Sequence, residues 1–227
     1  MRRLLIGAAV LAAMVTILGV LVGQGVRALL DLDVSVGSAL RYQGGDSFEV
    51  DVLQVITALG LTVIRLAVLV PVAVLFAIRR RLRLAGFVLL AALSVGPLTT
   101  VGKELVGRVR PTADDPLVAA SGMSFPSGHS SGAATLAGVL LVVLWPILAR
   151  RWRRWLAAGL ILAALCVAWT RIVLGVHYLS DVVGGLALGA AVVLVWMAVF
   201  GLYPGDSAEL SGRGRMTGQS GPAEPAG

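Results

Sequence analysis

Charge is scarce in this chain. Only 14% of its 227 residues are Asp, Glu, Lys or Arg, against 58% hydrophobic. Soluble domains carry about 25% charged residues, so this balance excludes an ordinary soluble domain. Cysteine is almost missing too. Cys166 stands alone inside an apolar run, so neither an intramolecular disulfide nor a cysteine-rich metal site can form. Histidine occurs only twice, at His129 and His177. Acids are outnumbered, 12 against 19 Lys and Arg, for a net charge of +7. That excess would suit nucleic acid if it formed one patch. It is instead scattered in short loops between apolar runs, as membrane topology signals are, and no nucleic-acid partner is expected.

What the chain does have is long apolar stretches. Six can be drawn, at about residues 4–23, 55–78, 84–102, 129–149, 155–175 and 182–202. Each approaches the roughly 20 residues that span about 30 Å of hydrocarbon. The expected fold is an all-α integral membrane protein, a bundle of six transmembrane helices. It would form one domain over residues 1–203, followed by a Gly-, Pro- and Ser-rich tail, 204–227, expected to be disordered. Arg2, Arg3, Arg79–Arg81, Arg83, Arg150, Arg151, Arg153, Arg154, Arg213 and Arg215 put 12 of the 19 cations on one side. The positive-inside rule makes that side cytoplasmic, with both termini. Trp145, Trp152 and Trp155 flank the second arginine cluster, as interfacial aromatics do. The first segment exceeds the 7–15 apolar residues of a signal peptide, which favours an anchored helix; cleavage would leave the later loops facing the same way. Residues 24–54 form an acidic outer connection, part of it a candidate surface helix. Arg65 has two open readings: it faces the bundle interior, or the second span starts later and leaves it near the outer surface.

Three runs carry the chemistry: Lys103 to Arg110-Pro111, Pro126-Ser-Gly-His129, and Arg171-x5-His177-x3-Asp181. The topology places all three on the extracytoplasmic face. Lys103 and Arg110 are seven residues apart, so a continuous helix would project both from one side. With Arg171 they make three cations, and Arg grips phosphate oxygens through paired hydrogen bonds. Ser127-Gly128 at the start of a helix adds unpaired backbone N–H groups, and Gly128 permits close approach. His177 and Asp181 are neighbours at i and i+4. Asp181 can accept the Nδ1–H and leave Nε2 free to attack phosphorus. His129 can protonate the departing oxygen and later activate water. A metal held by two His and one Asp is the competing reading; three nearby cations would repel a divalent ion, so no metal or cofactor is expected. Gly132, Ala133, Ala137, Gly185 and Gly189 would let the fourth and sixth spans pack closely and hold His129 near His177.

These residues resemble the type 2 phosphatidic acid phosphatases, whose core is shared with the vanadium haloperoxidases. The family pattern is Lys-x6-Arg-Pro, Pro-Ser-Gly-His and Ser-Arg-x5-His-x3-Asp. The chain matches all of it except Thr170, which stands where Ser is usual and keeps the hydroxyl. The resemblance, over about residues 50–202, implies His177 as nucleophile, Asp181 as its orienting partner and His129 as general acid and base. Lys103, Arg110, Ser127, Gly128 and Arg171 become the phosphate cradle. It also implies a lipid-phosphate substrate drawn from the bilayer: a polyprenyl diphosphate, phosphatidic acid or phosphatidylglycerol phosphate. Residues 112–125 are expected to help select the headgroup. Two rival readings are a lipid phosphotransferase using the same phosphohistidine and a silent lipid-binding protein or transporter. Arg108, outside the pattern, is a candidate rim contact.

Overall fold

A computed structural model of the chain describes residues 1–44, 47–111 and 120–202. The tail after residue 202, Asp46 and residues 112–119 of the headgroup-selecting stretch lie outside the described residues. The described part is all helical: α1 (Arg2–Gly23), α2 (Arg27–Leu40), α3 (Phe48–Ala58), α4 (Thr62–Ile78), α5 (Leu82–Val106), α6 (Gly128–Leu144), α7 (Arg150–Val173) and α8 (Leu179–Val199). Five stretches are long and apolar enough to cross a membrane: α1, the α3–α4 pair, α5, α7 and α8. The helix α6, with 17 residues, is shorter. Leu5, Ile6, Val10 and Ile17 of α1 are exposed, as are Val63, Val74 and Leu75 of α4. Helices that are apolar on the outside as well as within belong in lipid, so this is a multi-pass membrane protein.

The bundle is organised around α8, which packs on α1, α5, α6 and α7. Its most apolar window is 56% buried, against 17% for α1, so α8 is the centre and α1 the periphery. Leu69, Phe87, Val95, Val139 and Val192, from α4, α5, α6 and α8, form one apolar core. Arg83 Nε and Nη2 donate to Phe200 O at 3.0 and 2.7 Å, tying the start of α5 to the end of α8. The arginine-rich connections therefore occupy one end of the bundle. The C-terminal ends of α5 and α7 and the N-terminal ends of α6 and α8 meet at the other.

Small residues set the spacing, with a division of labour that differs from the sequence expectation. Gly185 and Gly189 do face α6: a Cβ there would lie 2.5 Å from Ser127 O and 2.4 Å from Ser131 O. Gly132, in contrast, faces Gly60 O at the α3–α4 break and Arg65, while Ala133 packs on Ala164 and Val167 of α7. The reason is angular: successive helix positions point about 100° apart, so one helix offers Gly132 and Ala133 to different neighbours. Adding a methyl at Gly189 would meet backbone, which cannot swing away. Gly189→Ala is expected to lower stability by about 1–3 kcal/mol through overpacking, read as a lower unfolding temperature in detergent.

The second apolar stretch is two helices. Between Ala58 and Thr62 the chain turns, and Gly60 there abuts the His129 backbone, where a Cβ would sit 2.6 Å from the carbonyl oxygen. Arg65 lies in the first turns of α4 yet is only 2% exposed, and its Nε donates to Ala92 O at 3.3 Å. It faces the bundle interior. The acidic connection supplies α2, which packs against the ends of α7 and α8.

Candidate active site

Each of the three runs reaches the site by a different local device. Lys103 projects from the last turn of α5. The helix does not continue to Arg110, because Gly107 takes a left-handed conformation with φ 64° and ends it. Arg110 instead returns on the following loop. Its Nε donates to Gly122 O at 3.0 Å and its Nη2 to Ser121 O at 3.1 Å, which steers the guanidinium inward. Lys103 Nζ donates to Met123 O from the same segment.

Ser127 is the N-cap of α6, with its Oγ accepting from Ser130 N at 3.4 Å and from Ser130 Oγ at 3.1 Å. Its own N–H donates to Asp181 O at 2.9 Å, joining the second and third runs. A Cβ on Gly128 would meet only Thr99 Cγ2, at 3.7 Å. Packing therefore does not demand glycine there, whereas close approach of an anion to the helix start would. His129 follows in the first turn, half-buried.

Arg171, near the end of α7, is 4% exposed and donates from Nη1 to Thr57 Oγ1 at 3.0 Å. Its buried Nε has no hydrogen-bond partner among the described residues. Buried guanidinium donors are costly when unpaired, so this one suits an anionic ligand. Thr170 beside it is buried, and its hydroxyl donates to Val167 O at 2.7 Å within the helix, away from the cradle.

The His177 ring has a defined proton. Arg110 Nη1 lies 3.0 Å from Nε2, and a guanidinium can only donate, so Nε2 must accept. The proton of the neutral ring is therefore on Nδ1, which donates to Asp181 Oδ2 at 3.3 Å. Burial pushes His177 down to about 4, against the opposing pull of Asp181, so the imidazole is neutral at physiological pH. Burial also lowers Arg110 from its ordinary value, with Asp181 opposing, though it remains a cation. Arg110 on His177 joins the first run to the third, and Ser127 N on Asp181 O joins the second to the third, so the runs converge on one place. Among the described residues, no group of three or more His, Cys, Asp or Glu side chains is arranged to hold a metal.

Several residues at the site were not singled out by sequence. Asp181 Oδ2 also accepts from Tyr178 N at 2.9 Å and from Ser124 Oγ, and its Oδ1 accepts from Arg108 Nη1 at 2.8 Å. Arg108, read as a rim contact, is instead an inner ion pair. Asp33 of α2 is fully buried and accepts from Arg108 Nη2 at 2.7 Å. Nothing local separates Asp33 from Asp31; only the docking of α2 does.

Comparison with known proteins places the fold and the sequence. Residues 81–203 match the model of the PAP2 superfamily. Phosphatidylglycerophosphatase B of Bacillus subtilis is 44% identical over 96 residues, which is 40% of this chain and 46% of that protein. Decaprenylphosphoryl-5-phosphoribose phosphatase of Mycobacterium tuberculosis is 42% identical over 98 residues, again 40% of this chain and 46% of that one. The matched stretch spans about half the length of these curated relatives. The fold is also similar to the crystal structure of a transmembrane PAP2 type phosphatidylglycerolphosphate phosphatase from Bacillus subtilis. There the TM-score is 0.72 at 29% identity, covering 85% of this chain and 94% of that one. From the three motif runs through the matched segment to the shared fold, the chain belongs to the PAP2 superfamily.

Proposed function

We propose that this protein is a metal-independent membrane phosphatase that hydrolyses a lipid-linked phosphate or diphosphate through a phosphohistidine. The observation that carries this reading is the fixed tautomer of His177, whose Nε2 lone pair faces the cationic cluster. In the first step Arg110 Nη1 passes from Nε2 to a phosphate oxygen, Nε2 attacks phosphorus and the bond to the leaving oxygen breaks. Lys103, Arg110, Arg171, Ser127 and the Gly128 backbone hold the non-bridging oxygens and stabilise the charge that builds on them. His129 gives its proton to the leaving oxygen. In the second step His129 takes a proton from water, whose oxygen attacks the phosphohistidine and releases inorganic phosphate. Asp181 holds Nδ1–H throughout and stabilises the cation that forms on the ring.

Six membrane crossings account for the chain when the α3–α4 pair counts as one and α6 as another. Seventeen residues at 1.5 Å each give α6 roughly 25 Å, near the hydrocarbon thickness. The arginine-rich end is then cytoplasmic with both termini, and the site opens on the extracytoplasmic face. Residues 1–203 form the catalytic domain, which holds all three motif runs. A site at headgroup depth, on a protein with little chain outside the bilayer, suits a substrate whose tail stays in lipid. The names of the relatives share a phosphate carried by a lipid. The candidates are a polyprenyl diphosphate, phosphatidic acid and phosphatidylglycerol phosphate.

Purified protein in detergent is expected to release inorganic phosphate from at least one of these three lipids, with the rate unchanged by excess chelator. Release abolished by chelator and restored by a divalent cation would overturn the metal-independent mechanism. Release from none would remove the substrate class.

A further inference from the structure

The mechanism above uses one carboxylate and three cations, yet the site contains a further buried ion pair that reaches outside the family segment. Asp33, at 0% exposure, lies on α2, well before residue 81 where the family match begins. Its Oδ2 accepts from Arg108 Nη2 at 2.7 Å and from Ser180 Oγ at 2.6 Å, and its Oδ1 from Ser180 N at 2.8 Å. Arg108 then bridges to Asp181, donating from Nη1 to Oδ1 at 2.8 Å and to Ser180 Oγ at 2.7 Å. The Tyr178 ring covers one face of the guanidinium, with its centroid 3.9 Å from Cζ.

Resting on the functional reading just given, we propose that Asp33 and Arg108 are positioning residues. Together they lock the Asp181 carboxylate so that Oδ2 faces the His177 ring and Oδ1 is held elsewhere.

The contrast with Arg171 decides the role. Arg171 has a buried donor with no partner among the described residues, whereas the donors of Arg108 reach two carboxylates and a hydroxyl. Three of its five donors are thus committed to groups of the protein. The Arg108 guanidinium does two things. First, it occupies one oxygen of Asp181 while Tyr178 N, Ser124 Oγ and His177 Nδ1 occupy the other, so the carboxylate cannot rotate. Second, it compensates two carboxylates that are both fully buried. Without it, Asp181 would be left with an uncompensated buried charge, which protonation relieves. A protonated Asp181 would no longer be an anionic acceptor for the His177 Nδ1–H, and the tautomer would be held only from the other side, by the Arg110 donor on Nε2. Asp33 fixes Arg108 from the far side and anchors the first turn of α8 through Ser180. The surface helix α2 is in this way part of the catalytic machinery, acting through two intermediates without touching substrate.

The chain has only two histidines, so ¹⁵N-histidine labelling of the full protein in detergent reads both rings, with His129→Gln assigning them. Wild type should show His177 protonated on Nδ1. Arg108→Gln should populate the Nε2–H form or the imidazolium. In parallel, kcat on a lipid phosphate should fall about 10–100-fold, the scale for losing the partner that orients a functional group. KM and competitive inhibition by inorganic phosphate should stay within about threefold, since no phosphate contact is removed. Arg108→Lys should recover part of the loss. Asp33→Asn should lose less than Arg108→Gln, and the double variant no more than Arg108→Gln alone, because both act through one chain of contacts.

An unaltered His177 tautomer with kcat retained in both single variants would overturn the proposal. So would weakened phosphate inhibition with kcat preserved, which would make Arg108 a phosphate ligand. If Arg108→Gln fails to fold, Asp33→Asn and Arg108→Lys decide the matter by the same two readouts. If wild type releases phosphate from no lipid, the functional reading fails, while the ¹⁵N spectra still judge the positioning role.

Discussion

Replacing His177 by alanine is expected to reduce phosphate release by on the order of 10⁴–10⁶-fold, the range for removing a covalent nucleophile. The loss should be chemical and not structural. Asp181 keeps its bonds from Tyr178 N, Ser124 and Arg108 in that variant, and Arg110 keeps Gly122, Ser121 and Val176 as acceptors. The cradle should therefore survive, and inorganic phosphate should still bind. The decisive measurement combines turnover with covalent labelling. Substrate carrying ³²P should leave acid-labile radioactivity on wild type during turnover and none on His177→Ala. Residual turnover within about tenfold of wild type, or labelling that persists in the variant, would remove His177 from the nucleophile's role.

The second large effect belongs to His129. Its two proton transfers give His129→Ala two distinct symptoms. For a lipid alkyl phosphate, the first step needs an acid, and loss of about 10²–10⁴-fold is expected. For an aryl phosphate with a good leaving group that step needs little help, whereas attack of water on the phosphohistidine still lacks its base. The variant should then give one rapid burst of the aryl alcohol, followed by slow release of phosphate, with label trapped on His177. If alkyl and aryl substrates slow by the same factor and no burst appears, His129 is not the proton carrier. Its place supports the role: it sits in the first turn of α6, two residues after the Ser127 N-cap, with its backbone against Gly60.

The site was more legible than the frame around it. His177 and Asp181 are four residues apart across the start of α8, and Ser127 to His129 are contiguous at the start of α6, so short chain segments nearly fix their relation. Lys103 and Arg110 were readable as a pair, but not their route to each other. A seven-residue spacing suggested one helix face, and Gly107 breaks that helix, so Arg110 comes back on a loop held by Gly122 and Ser121. The α3–α4 break was hidden for a similar reason: hydropathy is blind to a turn within an apolar run, and Gly60 turns where His129 needs room. Asp33 was unreadable because Asp31, two residues earlier, offers the same carboxylate, and its partners are 75 and 147 residues away.

The amino-acid order by itself determined that the chain is a bundle of apolar helices and that two imidazoles, one carboxylate and three cations mark helix ends at one end of it. Periodicity and transfer free energy act locally, along a single segment, and so are written in the sequence. Which small residue meets which neighbour, which proton His177 carries and which of several acids buries itself against Arg108 were decided only in three dimensions. Those outcomes depend on the desolvation of charges brought together from distant segments, a cost that exists only once the helices have packed.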